Sequence, residues 1–329
     1  MNMEIQTDST DLSKALIDHA KDGNICCVKL LLDDNRENRA LPDANNSMAL
    51  KLAAENGHID VVKLLLDDNR EHRALPDAGA SIALRLAAFN GHMDVVTMLI
   101  KDNREHRALP DDDYSRVLVS AAQHGHTDVV QLLLDDNREH RALPDEAEFH
   151  TWAYSQGALI VAAKFGYSDV VQLLLRDNRA HRAKPDADGN HALRIAACEG
   201  HADVVKLLLD DNRDHRALPD ALDSDALRVA AWKGHIDVVK LLLDDNRDHR
   251  ALPDTNNSEA LRWAADAGNF DVVKLLLDDR REFCAKADAC HGEALTRAQS
   301  NGHSAVVNLL HNVEEREDSA LRRIRRRME

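Results

Sequence analysis

The chain has 329 residues, 44% of them apolar but only 3% aromatic, with a formal net charge of −16, 13 glycines and 7 prolines. The core must be aliphatic and alanine-rich, and so little Gly and Pro argues against both disorder and an all-β fold. An acidic chain repels a phosphate backbone, which disfavours general nucleic-acid binding and favours a protein partner with a basic surface.

Residues 1–11 form a polar N-terminal tail. The opening MNMEIQTDSTDLSKAL has no apolar core segment of the kind a secretion signal needs. No run of about 18 apolar residues occurs, so no membrane span is expected. Over 12–312 one glycine recurs: Gly23, Gly57, Gly91, Gly125, Gly166, Gly200, Gly234, Gly268 and Gly302. Successive gaps are 34 residues except one of 41, giving nine units and a single insertion of seven residues (41 − 34).

One unit reads SIALRLAAFNGHMDVVTMLIKDNREHRALPDD from Ser81. Ser81 is expected to cap a first helix through its hydroxyl, and Ser47, Ser115, Asn190, Ser224 and Ser258 share that register. Ala83, Leu84, Leu86, Ala87 and Ala88 give this helix an apolar face, and Trp263, in the register of Leu52 and Leu86, is assigned to the core. Gly91 ends the helix in the left-handed conformation. His92 and Asp94 open a second helix, the carboxylate suiting the positive end of its dipole. Val95, Val96, Met98, Leu99 and Ile100 form its buried side. The polar run that follows should extend this helix, past Asn69 in the second unit, until proline stops it at Pro76. Tip turns should differ between units: Gly189, Asn46 and Asn257 suit a left-handed turn and Tyr114 does not. Neither helix buries its face alone, so stability must come from stacking neighbouring units into a solenoid.

The pattern resembles the ankyrin repeat. Asp186–Ala197, DADGNHALRIAA, follows that family's D-x-x-G-x-T-P-L-H-x-A-A, and GHADVVKLLL at 200–209 follows its second helix. The resemblance implies an all-α, ankyrin-type helix-turn-helix solenoid of nine stacked repeats. The family's Thr-Pro is replaced by x-Ala, and its His by Lys51, Arg85, Arg194, Arg228 or Arg262.

The insertion is EAEFHTWAYSQG, 146–157. Twelve residues link Asp145 to Ala158, where five, Ala44–Met48, link Asp43 to Ala49. It carries Phe149, Trp152 and Tyr154 at one tip, beside the tip bearing Tyr114. At the array's ends, Asp18 and His19, and Asn308 and His311, make the outer faces polar. Residues 313–329 form a charged tail with acids first and Arg322, Arg323, Arg325, Arg326 and Arg327 after them.

No G-x-x-x-x-G-K-[ST], H-E-x-x-H or G-x-S-x-G occurs, and no residues are assigned to catalysis. His72, His106, His140, His181, His215 and His249 form a column beside Asp68, Asp102, Asp136, Asp177, Asp211 and Asp245. A position repeated in every unit serves packing and pairing rather than a singular active site. Cys284, Cys290 and His291 lack a fourth ligand and ligand-pair spacing, so no metal site or cofactor is assigned. Cys26, Cys27, Cys198, Cys284 and Cys290 are odd in number and lack a CxxC pair, which points to free thiols in a reducing compartment.

In ankyrin-like arrays partners usually contact the tips and the exposed side of the first helices, the concave face. The residue pairs before each marker glycine vary while the core does not, and Phe89, Phe165 and Trp232 stand among them. Exposed aromatics are favoured anchors. The expectation is a non-catalytic, monomeric protein-interaction scaffold that binds a partner, not a small-molecule substrate, through this face and the aromatic loop. Its acids Asp112, Asp113, Glu146 and Glu148 would select a basic rim. A cytoplasmic adaptor, a secreted effector acting in the host cytosol and a host-pathway regulator all fit. The alternative is an architectural or targeting protein whose Arg-rich end engages membrane or nucleic acid, or directs nuclear import, with the array as spacer.

Overall fold

The computed structural model describes residues 9–313 and 315, apart from 35–38, 70, 103–105, 138–140, 145–156, 178–182, 212–213, 215, 245–250, 279–284, 314 and the side chains of 113 and 114. All regular secondary structure among the described residues is helical. The helices alternate between a first and a second helix of each repeat. In chain order they are α1 (Ser9–Lys21), α2 (Ile25–Leu32), α3 (Ala44–Glu55), α4 (Ile59–Asp67), α5 (Ala78–Phe89), α6 (Met93–Lys101), α7 (Asp112–Gln123), α8 (Thr127–Asp135), α9 (Ala158–Phe165) and α10 (Ser168–Arg176). There follow α11 (Ala187–Glu199), α12 (Ala202–Asp210), α13 (Ala221–Lys233), α14 (Ile236–Asp244), α15 (Thr255–Asp266), α16 (Phe270–Asp278), α17 (Ala289–Ser300) and α18 over 304–313.

The chain divides into two compact units, one of residues 1–162 and 172–183, the other of 163–171 and 184–329. In the first unit α1, α3, α5 and α7 pack side by side, and α2, α4, α6 and α8 do the same. In the second unit α11, α13, α15 and α17 repeat the arrangement, backed by α12, α14 and α16. The second helices bury Val-Val-x-x-Leu-Leu, for instance Val61, Val62, Leu65 and Leu66, all 5% exposed or less. Burying each such side chain contributes about 1.5–3 kcal/mol. Paired alanines such as Ala53–Ala54 and Ala230–Ala231 are fully buried, which lets first helices approach closely. Met98 is only half-buried, unlike Leu99 and Ile100. Trp263 is half-buried too, as are Leu52 and Leu86, so that register is a rim and not core.

Three local expectations are corrected. The second helix does not run on: α4 ends at Asp67, and Asp68 is already extended at φ −69°, ψ 116°. The tip turns share one geometry despite their different residues. Asn45–Asn46–Ser47, Gly79–Ala80–Ser81, Asp188–Gly189–Asn190, Leu222–Asp223–Ser224, Asn256–Asn257–Ser258 and Cys290–His291–Gly292 all have positive φ throughout. Each makes one left-handed turn, closed for example by Ser47 N donating to Asp43 O at 2.9 Å. Asn, Asp and Gly tolerate this region best, whereas Leu222 at φ 49° carries strain.

The serine register does not cap its own helix. Ser47 Oγ accepts from Leu75 N at 2.8 Å, Ser81 from Leu109 N at 2.8 Å, Ser115 from Leu143 N at 2.8 Å, Ser224 from Leu252 N at 2.9 Å and Ser258 from Lys286 N at 2.9 Å. Asn190 Oδ1 does the same for Leu218 N at 2.5 Å. Each partner lies 28 residues on, in the following repeat. The buried hydroxyl therefore ties one tip to the next.

Candidate surface for partner binding

The marker glycine sets where each first helix stops and what the next repeat can place against it. Gly23, Gly57, Gly91, Gly166, Gly200, Gly234 and Gly268 have φ between 71° and 81°. A Cβ on Gly91 would lie 2.5 Å from His126 Nδ1, and one on Gly57 2.6 Å from His92 Nδ1. The histidine that follows a marker glycine thus packs on the glycine of the preceding repeat. His58 Nε2 donates to Lys21 O at 2.9 Å, His92 to Glu55 O at 2.9 Å, His126 to Phe89 O at 2.9 Å, His201 to Lys164 O at 3.0 Å, His235 to Cys198 O at 3.0 Å and His303 to Asp266 O at 3.0 Å. A carbonyl only accepts, so Nε2 carries the proton. Asn269 substitutes through Nδ2, bonded to Ala231 O at 2.9 Å and Trp232 O at 2.7 Å. These bonds occupy carbonyls that helix ends leave unpaired. The recurring Gly-His dipeptide was the sequence signal for this interlock, and reading His92 only as a helix opener missed it.

The interlock holds the last turn of each first helix in place, and the exposed aromatics stand there. Phe89 is 43% exposed and Trp232 41%, both two residues before a marker glycine. Phe165, 44% exposed, stands one residue before its glycine, in the register of Asn56 and Asn90. Each has ring neighbours. Phe89 lies 3.9 Å from the ring centre of His124, and Phe165 lies 6.2 Å from that of Tyr167. Trp232 meets Trp263 edge-on at 5.8 Å, with Lys233 Nζ 4.6 Å from its centroid. Arg297 stands 5.3 Å from Trp263, whose Nε1 donates to Glu259 Oε1 at 3.0 Å. The two indoles are thereby held in a fixed relation.

A second register, at the start of the first helices, is ionic. Arg194 Nε donates to Asp225 Oδ2 at 2.7 Å, and Arg228 Nη2 donates to the other oxygen of Asp225. Arg262 Nη1 donates to Glu293 Oε2 at 2.5 Å, while Arg297 Nη2 donates to Oε1 at 2.7 Å. Hydrogen bonds from Arg297 first and Arg262 second hold the Glu293 carboxyl below the ordinary glutamate pKa. Lys51, at the same register as Arg194, Arg228 and Arg262, is only 6% exposed, and burial alone pushes its pKa below the ordinary lysine value. Among the expected rim acids, Asp112 accepts from Ser81 Oγ at 2.5 Å and so is engaged internally. In the other histidine column, His72 Nδ1 meets Asp43 Oδ2 at 2.9 Å and His106 meets Asp77 at 3.0 Å, a pairing between neighbouring tips.

A family model described as ankyrin repeats, three copies, matches residues 2–75, 140–218, 159–252 and 227–318. The chain belongs to the ankyrin-repeat family. The stacked helix pairs are thus an ankyrin-type solenoid, an architecture that generally mediates protein–protein interaction. No curated protein matches the chain. No described helix is long and apolar enough to cross a membrane. The aromatic loop with Phe149, Trp152 and Tyr154, the side chain of Tyr114, Cys284 and the Arg-rich tail lie outside the described residues.

Proposed function

We propose that this ankyrin-repeat chain is a non-catalytic scaffold that binds a protein partner through the exposed ends of its first helices and the tip loop 146–157. The observation that carries the reading is the exposure of Phe89, Phe165 and Trp232 on helix ends that His126, His201 and Asn269 of the following repeats hold. Large rings held in one geometry contribute contact area at little entropic cost. Phe149, Trp152, Tyr154 and Tyr114 belong to the same proposal on their sequence placement. A secreted effector, a host-pathway regulator and a cytoplasmic adaptor would all use such a surface.

Paired affinity capture tests it. The intact chain is compared with Phe89→Ala/Phe165→Ala/Trp232→Ala and with a chain whose 146–157 loop is cut to five residues. Proteins retained by the intact chain should be lost from the triple variant and depleted from the trimmed one. Equal recovery by all three baits sinks the reading.

A further inference from the structure

In the second unit one register of the first helices, five residues before the marker glycine, is apolar in three consecutive repeats: Ile195, Val229 and Trp263. All three are half-buried, and the helices that carry them, α11, α13 and α15, pack side by side. Trp232, three residues on from Val229, is 41% exposed, with its ring centre 5.8 Å from that of Trp263. Together they make an apolar strip that runs across the helices, with a large side chain from each repeat. In the first unit the same register reads Leu52, Leu86 and then Ser120. The charges next to the strip are already paired: Asp225 joins Arg194 to Arg228, and Glu293 joins Arg262 to Arg297. Lys233 Nζ lies 4.6 Å from the Trp232 centroid and the Arg297 guanidinium 5.3 Å from that of Trp263, so each indole already meets a cation. Trp263 Nε1 donates to Glu259, whereas Trp232 Nε1 has no hydrogen-bond partner among the described residues.

We propose that this strip docks an extended, proline-rich segment of a protein partner, in the polyproline II conformation, with an apolar side chain at every third position. The spacing carries the argument. Packed helices lie about 8–10 Å apart, and polyproline II advances about 9 Å per turn of three residues, so residues i, i+3 and i+6 meet Ile195, Val229 and Trp263 in turn. A β-strand, which repeats a face about every 7 Å, falls out of step within two repeats. A helix brings an apolar stripe at least about 100° wide, broader than one row of side chains beside a row of ion pairs. Polyproline II leaves its carbonyls without internal partners, and the free Trp232 Nε1 is a donor for one of them. The resident cations at both indoles repel a basic side chain, and the paired ions leave no charge that calls for an acidic one. The inference rests on the proposed scaffold function and names the chemistry of its partner.

The test is fluorescence anisotropy of a short fluorescein-labelled peptide of repeated Leu-Pro-Pro triplets against the full chain. Saturable binding is expected. Binding should be at least about tenfold weaker for a peptide of the same composition with its leucines off the three-residue spacing, and for an Ala-rich helical peptide with leucines at i, i+3, i+4 and i+7. Val229→Glu and Trp232→Ala should each weaken binding of the triplet peptide at least about tenfold. Trp232 is exposed, so its variant keeps the measurement informative if Val229→Glu misfolds. Absence of saturable binding, equal binding of either control peptide, or unchanged binding in the folded variants would each overturn the inference. If that happens while the Phe89→Ala/Phe165→Ala/Trp232→Ala bait still loses its proteins, the scaffold reading stands and the proline-rich partner alone is removed.

Discussion

In the second unit Arg194, Arg228 and Arg262 stand among Asp225 and Glu293, and both acids are shared between two arginines. In the first unit Lys51 and Arg85 hold the same register, but the following repeats offer Ile82 and Arg116 at the acid position. The apolar faces, marker glycines, histidine bonds and serine ties are alike in both. What every repeat needs for stacking is therefore repeated, while the ionic register is free to differ. The difference separates a register in which Asp225 and Glu293 each bridge two arginines from one in which no acid stands between Lys51 and Arg85.

The largest effect should come from what the units share. Gly91→Ala places a Cβ 2.5 Å from His126 Nδ1 at φ 72° and should cost about 3 kcal/mol in urea unfolding, the left-handed penalty plus displacement of the interlock. Gly302→Ala, at φ 75° with nothing within 4 Å of its Cβ, should cost only about 1–2 kcal/mol. Equal losses would remove the histidine from the account.

The next contrast breaks the units apart. Asp225→Ala leaves two half-buried arginines without their acid and should cost about 2 kcal/mol, whereas Lys51→Met should be neutral or stabilising. Hydrogen exchange within each unit locates the change. By contrast, Ser47→Ala in the first unit and Ser258→Ala in the second should each cost about 1 kcal/mol, since both leave a backbone N–H of the next tip unpaired. Smallest is Leu222→Asn, which relieves left-handed strain at a side chain 59% exposed and should gain roughly 0.5–1 kcal/mol.

The two perturbed groups sharpen the contrast at opposite ends of the pH scale. Glu293 titrates lower in the folded chain than in the unfolded one. Its contribution is therefore full above the unfolded glutamate value, about 4.3, and is lost as pH falls through the folded value. Glu293→Gln should flatten that acid limb of the stability curve. Lys51 is also lowered, so between its folded value and the unfolded value of about 10.4 the unfolded chain binds the extra proton. Stability should rise with pH across that window, and Lys51→Met should remove the rise.

The period, the helix pairs, the aliphatic core and the helix-ending glycine were legible because each is a local pattern repeated nine times. What the sequence concealed reaches across repeats. Ser81 before an apolar run looks like a cap, but its partner Leu109 N lies 28 residues away, and three left-handed residues separate the tip from the helix proper. His126 does open α8 as its N-cap, but its side chain also reaches back 37 residues to Phe89 O. The polar run after α4 has helix-forming residues, yet Asp68 turns extended and α4 stops at Asp67. Of the proposed partner surface, Phe89, Phe165 and Trp232 could be marked because they vary just before the marker glycines. That Phe165 stands one register away from the other two follows from a shift of a single residue, which an offset of "just before glycine" does not resolve.

The most direct test of the contrast is the titration of Lys51 itself, by NMR of the lysine side chains in the intact chain and in Ile82→Asp. Lys51 should titrate below an ordinary lysine, and the new carboxylate should bring it back up. An ordinary value for Lys51 in the unaltered chain, unmoved by Ile82→Asp, would contradict a first unit in which no acid stands between Lys51 and Arg85.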